Sequence, residues 1–234
     1  AAKIRQRLTE VAAQHFSVTE ADVEFRDGDV FGETQRLSFA ELVQIAWASR
    51  VSLSATGFYK TPRINYDRAT FSGRPFFYYA YGAAVTEVVV DTLTGEHRVL
   101  RTDILHDCGD SLNPAIDMGQ VEGGYVQGVG WLTTEELWWN DKGELGTHAP
   151  STYKIPVCSD LAPDFRVTLL QNARNREDTI YRSKAVGEPP FMLALSAFLA
   201  IRDALANDKG QAPALDAPAT PEAVLRALED VTYE

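Results

Sequence analysis

The chain has 234 residues, with 45% hydrophobic and 24% charged side chains, which is typical of a globular protein large enough to bury a substantial core. The net charge of −11 argues against a general binder of nucleic acids or anionic membranes, because both partners require a basic surface. No apolar run of the sequence is long enough to cross a membrane, and we expect no signal peptide. The chain begins without Met, directly in a helical pattern, so we expect it to start inside a longer polypeptide.

The two cysteines, Cys108 and Cys158, are far apart and belong to no CxxC motif. This spacing predicts free thiols, and neither a disulfide framework nor a zinc site. We therefore expect a reducing, cytoplasmic setting.

Two amphipathic helices are predicted near the start of the chain. Helical spacing of apolar residues indicates the first over residues 2–16. Ser38 and Glu41 have the spacing of a capping box, which predicts the start of the second. The expected buried positions are Ile4, Leu8, Val11 and Ala12 in the first helix, and Leu42, Ile45, Ala46 and Trp47 in the second.

β-Branched and aromatic residues predict strands in the middle of the chain. Residues 51–59 are expected to form one strand, and residues 76–91 and 97–109 a hairpin with its turn at 93–96. By strand parity, His97 and His106 lie on opposite faces and cannot ligate one metal ion within this strand. We expect surface or half-buried positions for both histidines. A short strand is also predicted over residues 165–172.

A glycine-rich helix is predicted from Asn113 onwards, because Asn is a good N-cap and Pro114 a good first helical residue. Its glycines at 119, 123, 124, 128 and 130 each cost about 0.8–1 kcal/mol relative to alanine. Helices tolerate such residues where another backbone or a ligand approaches closely. Gln120 and Gln127 are seven residues apart and share one face. Two interpretations stay open: tight helix–helix packing, or a helix pressed against a bulky polar cofactor that Gln120 reaches.

The segment SKAVGEPPF, residues 183–191, places one carboxylate, Glu188, at the start of a helix that is apolar on nearly every side. Prolines suit a first helical turn, and a residue before proline favours extended geometry, so Glu188 is expected just outside the helix N-terminus. A helix that is apolar all round predicts burial, and therefore a dry site around Glu188. A structural acid at a helix N-terminus is one interpretation. The other is a general base in an apolar site.

Five segments carry a family resemblance: SKAVGEPPF, NPAIDMGQVEGGYVQGVGWLTTEEL, SATGFYKTP, HRVLRTDI and PSTYKIP. They resemble the C-terminal part of the molybdenum-binding subunit of the xanthine dehydrogenase/xanthine oxidase family, and the resemblance covers most of the chain, from the first helix to the helix after Glu188. The resemblance implies an α+β fold, with helices packed around mixed β-sheet, as the C-terminal portion of a molybdopterin-binding domain. A rough division is expected near 108–114, into residues 1–110 and a cofactor-facing part, 111–234, within one continuous domain that extends upstream.

The resemblance also implies an activity and two site residues. Members of the family hydroxylate purines, converting hypoxanthine and xanthine to urate with water as the oxygen source and a molybdenum–molybdopterin cofactor. Glu188 matches the family's general base, which deprotonates the hydroxyl on molybdenum, and Gln120 matches a glutamine that lies against the pterin. Lys184 is suggested as a charge that balances Glu188 or a cofactor phosphate. No residue of this chain is expected to ligate the metal.

Further cofactors and partners follow from the resemblance alone. In the complete enzyme two [2Fe-2S] clusters, FAD and NAD carry the electrons away, and none of them is expected to bind to this stretch. The expected partners are the upstream remainder of the molybdenum-binding subunit, an iron–sulfur/FAD subunit or domains, and a purine substrate. A dimer of the full assembly is expected, and the residues that orient the purine should lie upstream.

Two other functions compete with this one. An aldehyde oxidase-like molybdenum hydroxylase would share the glutamate and differ in substrate residues outside the chain. A carbohydrate-active protein would use Glu135, Glu136 or Glu188 with Trp138 and Trp139 as a sugar platform. Glu135 and Glu136, expected to close the glycine-rich helix, would point to different helix faces, whereas paired catalytic carboxylates stand about 5–9.5 Å apart across a sugar. The carbohydrate hypothesis is therefore the weaker one.

Overall fold

The computed structural model describes residues 1–207 and 209–232, the side chains of 230–232 excepted. It forms two compact units, Ala1–Pro62 and Arg63–Glu234. The division suggested near 108–114 by the sequence falls inside the second unit. There the main chain of Gly109 forms a β-bridge with Ser183, which ties the end of one strand to a much later segment.

The first unit packs two helices on a small antiparallel sheet. Its elements are α1 (Ala2–Phe16), β1 (Val23–Arg26), β2 (Asp29–Gly32), β3 (Gln35–Ser38) and α2 (Phe39–Ala48), with the strands in the order β1-β2-β3. The predicted capping box is confirmed, since Ser38 Oγ accepts the Glu41 amide and the Glu41 carboxylate accepts the Ser38 amide. The core holds Leu8, Val11, Ala12, Phe16, Val30, Leu42 and Ala46, with Ile4 and Ile45 partly buried against it.

Two predictions for the first unit are wrong. Trp47 is not a core residue, because 75% of its surface is exposed. Residues 51–59 are not a strand. The carbonyl groups of Ser52 and Ser54 accept hydrogen bonds from the Arg7 guanidinium, so α1 side chains take the place of a strand partner.

The second unit contains a mixed three-stranded sheet and a two-stranded ribbon. The ribbon pairs β4 (Asn65–Asp67) with β5 (Ser72–Arg74). In the sheet, β6 (Gly82–Val90) pairs antiparallel with β7 (His97–His106), and β8 (Asp164–Leu169) adds parallel to β7. The α+β class with mixed sheet is therefore confirmed, as are the hairpin and the short later strand.

The hairpin differs from its prediction at the first strand, which begins at Gly82 and not at residue 76. Residues 76–81 lie outside the strand, and Phe76, Tyr79 and Tyr81 are exposed aromatic side chains. The predicted turn is present: the Gly95 amide donates to the Asp91 carbonyl at 2.8 Å, and the Asp91 carboxylate accepts the Leu93 amide. Gly95 has a φ of +75°, a conformation that favours glycine.

The described residues of the second unit also include three α-helices. They are α3 (Pro114–Thr133), α4 (Leu195–Ala204) and α5 (Pro221–Thr232), and a short 3-10 helix, Pro189–Ala194, leads into α4. The predicted start of α3 is confirmed, because the Asn113 side chain accepts the Ile116 amide and Pro114 occupies the first turn. Pro221 likewise occupies the first turn of α5.

Hydroxyl groups connect α3, α4 and the sheet at the centre of this unit. Tyr125 on α3 shares hydrogen bonds with the hydroxyls of Thr102 on β7 and Thr86 on β6, at 3.1 and 2.8 Å. Thr86 is in turn 2.7 Å from the hydroxyl of Ser196 on α4. Ser196 is the one polar residue between Phe191 and Ile201, and its hydroxyl is thus bound to the sheet. Both cysteines are free, with Cys108 buried and Cys158 exposed.

Candidate active site

One side of α3 packs directly on the backbone that follows Glu188. A Cβ added at Gly124 would lie 3.0 Å from the carbonyl oxygen of Gly187, and one added at Gly128 would lie 2.4 Å from that of Phe191. These two glycines, here called the packed side of α3, allow close approach of the segment 187–194. The tight-packing interpretation holds for them.

The adjoining surface of α3 is open. A Cβ added at Gly119 or Gly123 would meet no atom of the described residues within 4 Å, and the amide side chains of Gln120 and Gln127 are exposed. We call Gly119, Gln120, Gly123 and Gln127 the open side. Packing among the described residues does not account for the two glycines here.

Gln120 lies next to the segment that carries Glu188. A Cβ added at Gly187 would be 3.7 Å from Gln120 Oε1, and Glu188 is the following residue. The contact of Gly124 and Gly128 with residues 187–194 thus brings the two sequence-predicted site residues to one place. They are far apart in the chain, so this proximity is a product of the fold.

Glu188 caps the 3-10 helix that begins at Pro189, as expected for a residue just outside a helix N-terminus. Its backbone is not extended, however: φ is −86° and ψ is −31°, and its carbonyl accepts the Phe191 amide at 3.0 Å. This hydrogen bond closes the first turn and offsets the usual preference of a residue before proline. Its side chain makes no capping hydrogen bond.

The expected burial of this region is wrong for the chain by itself. Glu188 is exposed, and the helical segment after it is not covered on every side, since Met192, Leu195 and Leu199 are exposed. Their spacing puts the three side chains along one stripe. A pattern that is apolar all round indicates which side chains avoid water, and it does not say which part of the polypeptide covers them.

Lys184 pairs with Asp107 and not with Glu188, so the suggestion that it balances Glu188 is not met. The Lys184 ammonium lies 2.5 Å from Asp107 Oδ2, and both side chains are buried. Asp107 follows the last residue of β7, and its other carboxylate oxygen accepts the Gly109 amide. Asp107 was not predicted from the sequence, because no local motif links it to a partner 77 positions further along the chain.

The histidines of β7 differ in burial. His97 is half-buried, as expected, whereas His106 is 1% exposed, and neither of its ring nitrogens has a hydrogen-bond partner among the described residues. Burial lowers the pKa of His106, and the nearby Lys184 ammonium lowers it further against the opposing influence of Asp107. Within the described part of the chain, no group of three or more His, Cys, Asp and Glu residues is arranged to hold a metal ion.

The carboxylates of the carbohydrate hypothesis lie outside the helix, since α3 ends at Thr133. Glu135 accepts a hydrogen bond from the Tyr153 hydroxyl at 2.6 Å, a contact that raises the pKa of Tyr153. Trp138 packs on Gly146, and both Trp138 and Trp139 are about half exposed. Glu135 therefore has a structural partner, and Trp138 belongs to the packing of its own loop.

Residues 1–162 match the family of molybdopterin cofactor-binding domains. The chain belongs to this family. It is 51% identical over 201 residues to xanthine dehydrogenase/oxidase of Felis catus, and the aligned region covers 82% of the chain and 15% of the relative. It is 45% identical over 205 residues to xanthine dehydrogenase of Oryza sativa subsp. japonica, and this aligned region also covers 82% of the chain and 15% of the relative. The chain thus spans about a seventh of the length of these relatives.

Solved structures agree with the family at the level of fold. Quinoline 2-oxidoreductase from Pseudomonas putida 86 is 25% identical with a TM-score of 0.64, over 98% of this chain and 28% of that one. Aldehyde oxidoreductase from Desulfovibrio gigas is 26% identical with a TM-score of 0.59, and the match covers 80% of this chain and 20% of that one. The predicted resemblance to the molybdenum-binding region of xanthine dehydrogenase is confirmed.

The open side of α3 fits the cofactor after which the family is named. A pterin is a flat, polar ring system with several hydrogen-bonding atoms on its edge. The glycines let such a group approach the helix backbone, and each glutamine offers an amide donor and a carbonyl acceptor.

No helix among the described residues combines the length and apolar character needed to cross a membrane.

Proposed function

We propose that the chain supplies the base-bearing and pterin-facing part of the active site of a molybdenum hydroxylase that oxidises hypoxanthine and xanthine to urate. The observation that supports this most directly is the close approach of Gln120 to the Gly187–Glu188 turn. It joins an open, glycine-lined helix face to an exposed carboxylate. The identity to relatives named xanthine dehydrogenase favours a purine substrate.

Two residues of the chain have distinct roles in this proposal. Gln120 holds the pterin through its side-chain amide, while Gly119 and Gly123 leave room for the ring. Glu188 accepts the proton that the water-derived oxygen loses before this oxygen is transferred to the purine, which is general base catalysis. When bound, the molybdenum–pterin group supplies the redox chemistry, by accepting the two electrons of the hydroxylation.

The rest of the proposed active site lies outside this stretch. Residues that ligate the cofactor further and orient the purine belong to the upstream remainder of the subunit. Two [2Fe-2S] clusters, FAD and NAD in other domains or another subunit accept the electrons. The full assembly is proposed to be a cytoplasmic dimer.

An aldehyde substrate is the second candidate, because an aldehyde oxidoreductase is among the similar solved structures. In that case the roles of Glu188 and Gln120 stay the same, and only the substrate differs. Steady-state rates of the complete enzyme with xanthine and with aromatic aldehydes separate the two. Faster turnover of the aldehyde would overturn the purine assignment.

Replacement of Glu188 by glutamine in the complete enzyme tests the base. Glu188→Gln keeps the shape of the side chain and removes its ability to accept a proton, so turnover should fall by about 10²–10⁴-fold with normal molybdenum content. Glu222 on α5, in an exposed ion pair with Arg226, provides the control, since Glu222→Gln should leave turnover unchanged. Near wild-type turnover of Glu188→Gln would refute the role.

Replacement of Gln120 by alanine tests the pterin contact separately. We expect Gln120→Ala to reduce cofactor retention or shift the redox behaviour of the enzyme without abolishing its chemistry. Molybdenum and pterin content per subunit, and reductive titration, are the measurements. Unchanged values in both would remove Gln120 from the cofactor site.

A further inference from the structure

A buried ion pair anchors the segment that leads to Glu188. The side chains of Lys184 and Asp107 are only 8% and 10% exposed, and their charged atoms are 2.5 Å apart. The Lys184 ammonium also lies 5.1 Å from the centre of the Tyr81 ring. Lys184 precedes Glu188 by four residues, while Asp107 is fixed at the end of β7.

The main chain around Lys184 is held at several further points. The Lys184 amide donates to the Cys108 carbonyl at 2.8 Å, and the Ala185 amide donates to the Tyr78 hydroxyl at 3.0 Å. The Ser183 carbonyl accepts the Thr179 hydroxyl at 2.7 Å. These hydrogen bonds therefore hold residues 183–185 in a fixed position beside the end of β7.

The other end of the same segment rests on α3. The carbonyl of Gly187 lies against Gly124, so residues between Lys184 and Glu188 are held from both sides. A buried ion pair contributes little net stability compared with apolar side chains of the same size, since both charges must be stripped of water. We therefore expect the Lys184–Asp107 contact to fix the position of the backbone more than it stabilises the fold.

We infer that the Asp107–Lys184 pair is a positioning element for Glu188. It sets the register of the segment 183–187, and with it the point at which the carboxylate emerges beside Gln120. This inference rests on the proposed role of Glu188 as base. Lys184 and Asp107 themselves act through the backbone and do not need to touch the substrate.

The first test is Lys184→Met in the complete enzyme. Misplacement of a catalytic group by about 1 Å costs roughly 10²-fold in rate, so kcat per molybdenum should fall by about that factor while KM changes little. Asp107→Asn should act in the same direction and serves if Lys184→Met does not fold. Lys184→Arg, which keeps the cation, should restore much of kcat.

Arg174 provides a matched control. It pairs with Asp110 at 3.3 Å, close in sequence to Asp107, but 69% of its side chain is exposed. Arg174→Met removes the same charge from a solvated pair, and kcat should stay within about twofold of wild type, as expected for an exposed ion pair. An equal loss of kcat in Arg174→Met and Lys184→Met would overturn the inference.

A readout independent of turnover is hydrogen exchange at the backbone amides of residues 185–188. Exchange there should accelerate in Lys184→Met, while the amides of β7 up to Ile104 keep their protection. Unchanged exchange with unchanged kcat would overturn the inference. So would loss of molybdenum with normal kcat per remaining molybdenum, because it would show a role in cofactor retention.

Combination with Glu188→Gln separates this inference from the proposed function. If Glu188→Gln alone lowers turnover by the expected factor of about 10²–10⁴, adding Lys184→Met should lower the residual rate no further, because the group that it positions is already inactive. A further large loss would show that Lys184 acts elsewhere. If Glu188→Gln is fully active, the proposed base is refuted, whereas full activity of Lys184→Met beside an inactive Glu188→Gln refutes the positioning role alone.

Discussion

On the packed side of α3, a methyl group at Gly128 would meet the Phe191 carbonyl oxygen at 2.4 Å, whereas in the part of the chain that the structure describes a methyl group at Gly123 on the open side would meet no atom within 4 Å. Both glycines cost the helix the same intrinsic stability. The cost at Gly128 is offset by close backbone packing, whereas no contact among the described residues offsets the cost at Gly123. The difference shows that a glycine-rich helix can combine two separate reasons for its glycines.

The two sides of α3 meet at the candidate site. The packed side brings residues 187–194 against α3, and the open side continues from that contact along Gln120 and Gln127. Glu188 lies at the junction, since Gly187 approaches Gln120. The packed side therefore fixes the position of residues 187–194 on α3, while the open side is the surface proposed for the pterin.

Gly128→Ala should have the largest effect on stability. The added methyl group would overlap the Phe191 carbonyl oxygen and, at 2.6 Å, the Ala194 side chain. We expect a loss of about 3 kcal/mol in the free energy of unfolding, the upper end for overpacked cores, because neither neighbour can rotate away. Thermal or denaturant unfolding measures it.

Gly124→Ala is the graded control for this prediction, because its nearest atom, the Gly187 carbonyl oxygen, would be 3.0 Å away. It should destabilise less than Gly128→Ala. Equal stability of Gly128→Ala and wild type would contradict the packed side as described.

Tyr125→Phe should have the next largest effect. The buried Thr102 hydroxyl, which is 0% exposed, would lose the Tyr125 partner, while Thr86 would keep Ser196. A buried hydroxyl without a partner costs about 1–3 kcal/mol, so we expect a loss near the lower end. Chemical denaturation of both proteins is the measurement, and no change in the midpoint would disprove the importance of this network.

Gly123→Ala should act in the opposite direction. With no neighbour to meet, the methyl group should increase the free energy of unfolding of the cofactor-free protein by about 0.8–1 kcal/mol through helix propensity. Cofactor content of the complete enzyme should fall, because the methyl group occupies space proposed for the pterin. A stabilised protein with full cofactor content would show that the open side faces something smaller.

His106→Leu should have the smallest effect, visible only in acid. Burial lowers the pKa of His106 in the folded protein, so the unfolded chain takes up a proton first. Wild-type stability should therefore decline as the pH falls below the ordinary histidine value of about 6.5, until the lower pKa of the folded state is reached. His106→Leu should lose less stability between pH 7 and pH 5, as measured by melting temperature. An identical pH dependence in both proteins would refute the buried neutral imidazole.

Local signals made the helix starts predictable from sequence. The Ser38 and Glu41 capping box and the Asn113–Pro114 start each depend on atoms a few residues apart, and both are found as predicted. The strand expected over residues 51–59 failed for a long-range reason, because Arg7 on α1 binds its carbonyl groups. Residue propensity indicates which secondary structure a segment can form, and its hydrogen-bond partners in the fold determine which one it adopts.

The site was predictable only in part. The residues Glu188 and Gln120 stood out by motif, and their proximity required the fold. The Asp107 partner of Lys184 could not be inferred, since the two residues are 77 positions apart. Burial of His106 was missed because apolar residues occur on both faces of β7, and alternation then does not distinguish an inner face.

The parallel pairing of β8 with β7 has a consequence for any shortened form of the protein. β7 is flanked on one side by β6, its hairpin partner, and on the other by β8, which arrives only after α3 and the loop that follows it. A polypeptide that ended before Asp164 would expose a row of unpaired amides and carbonyls along β7. Such an edge is a template for association with other chains, so a truncation at this point should precipitate even though every residue of the hairpin and of α3 is present.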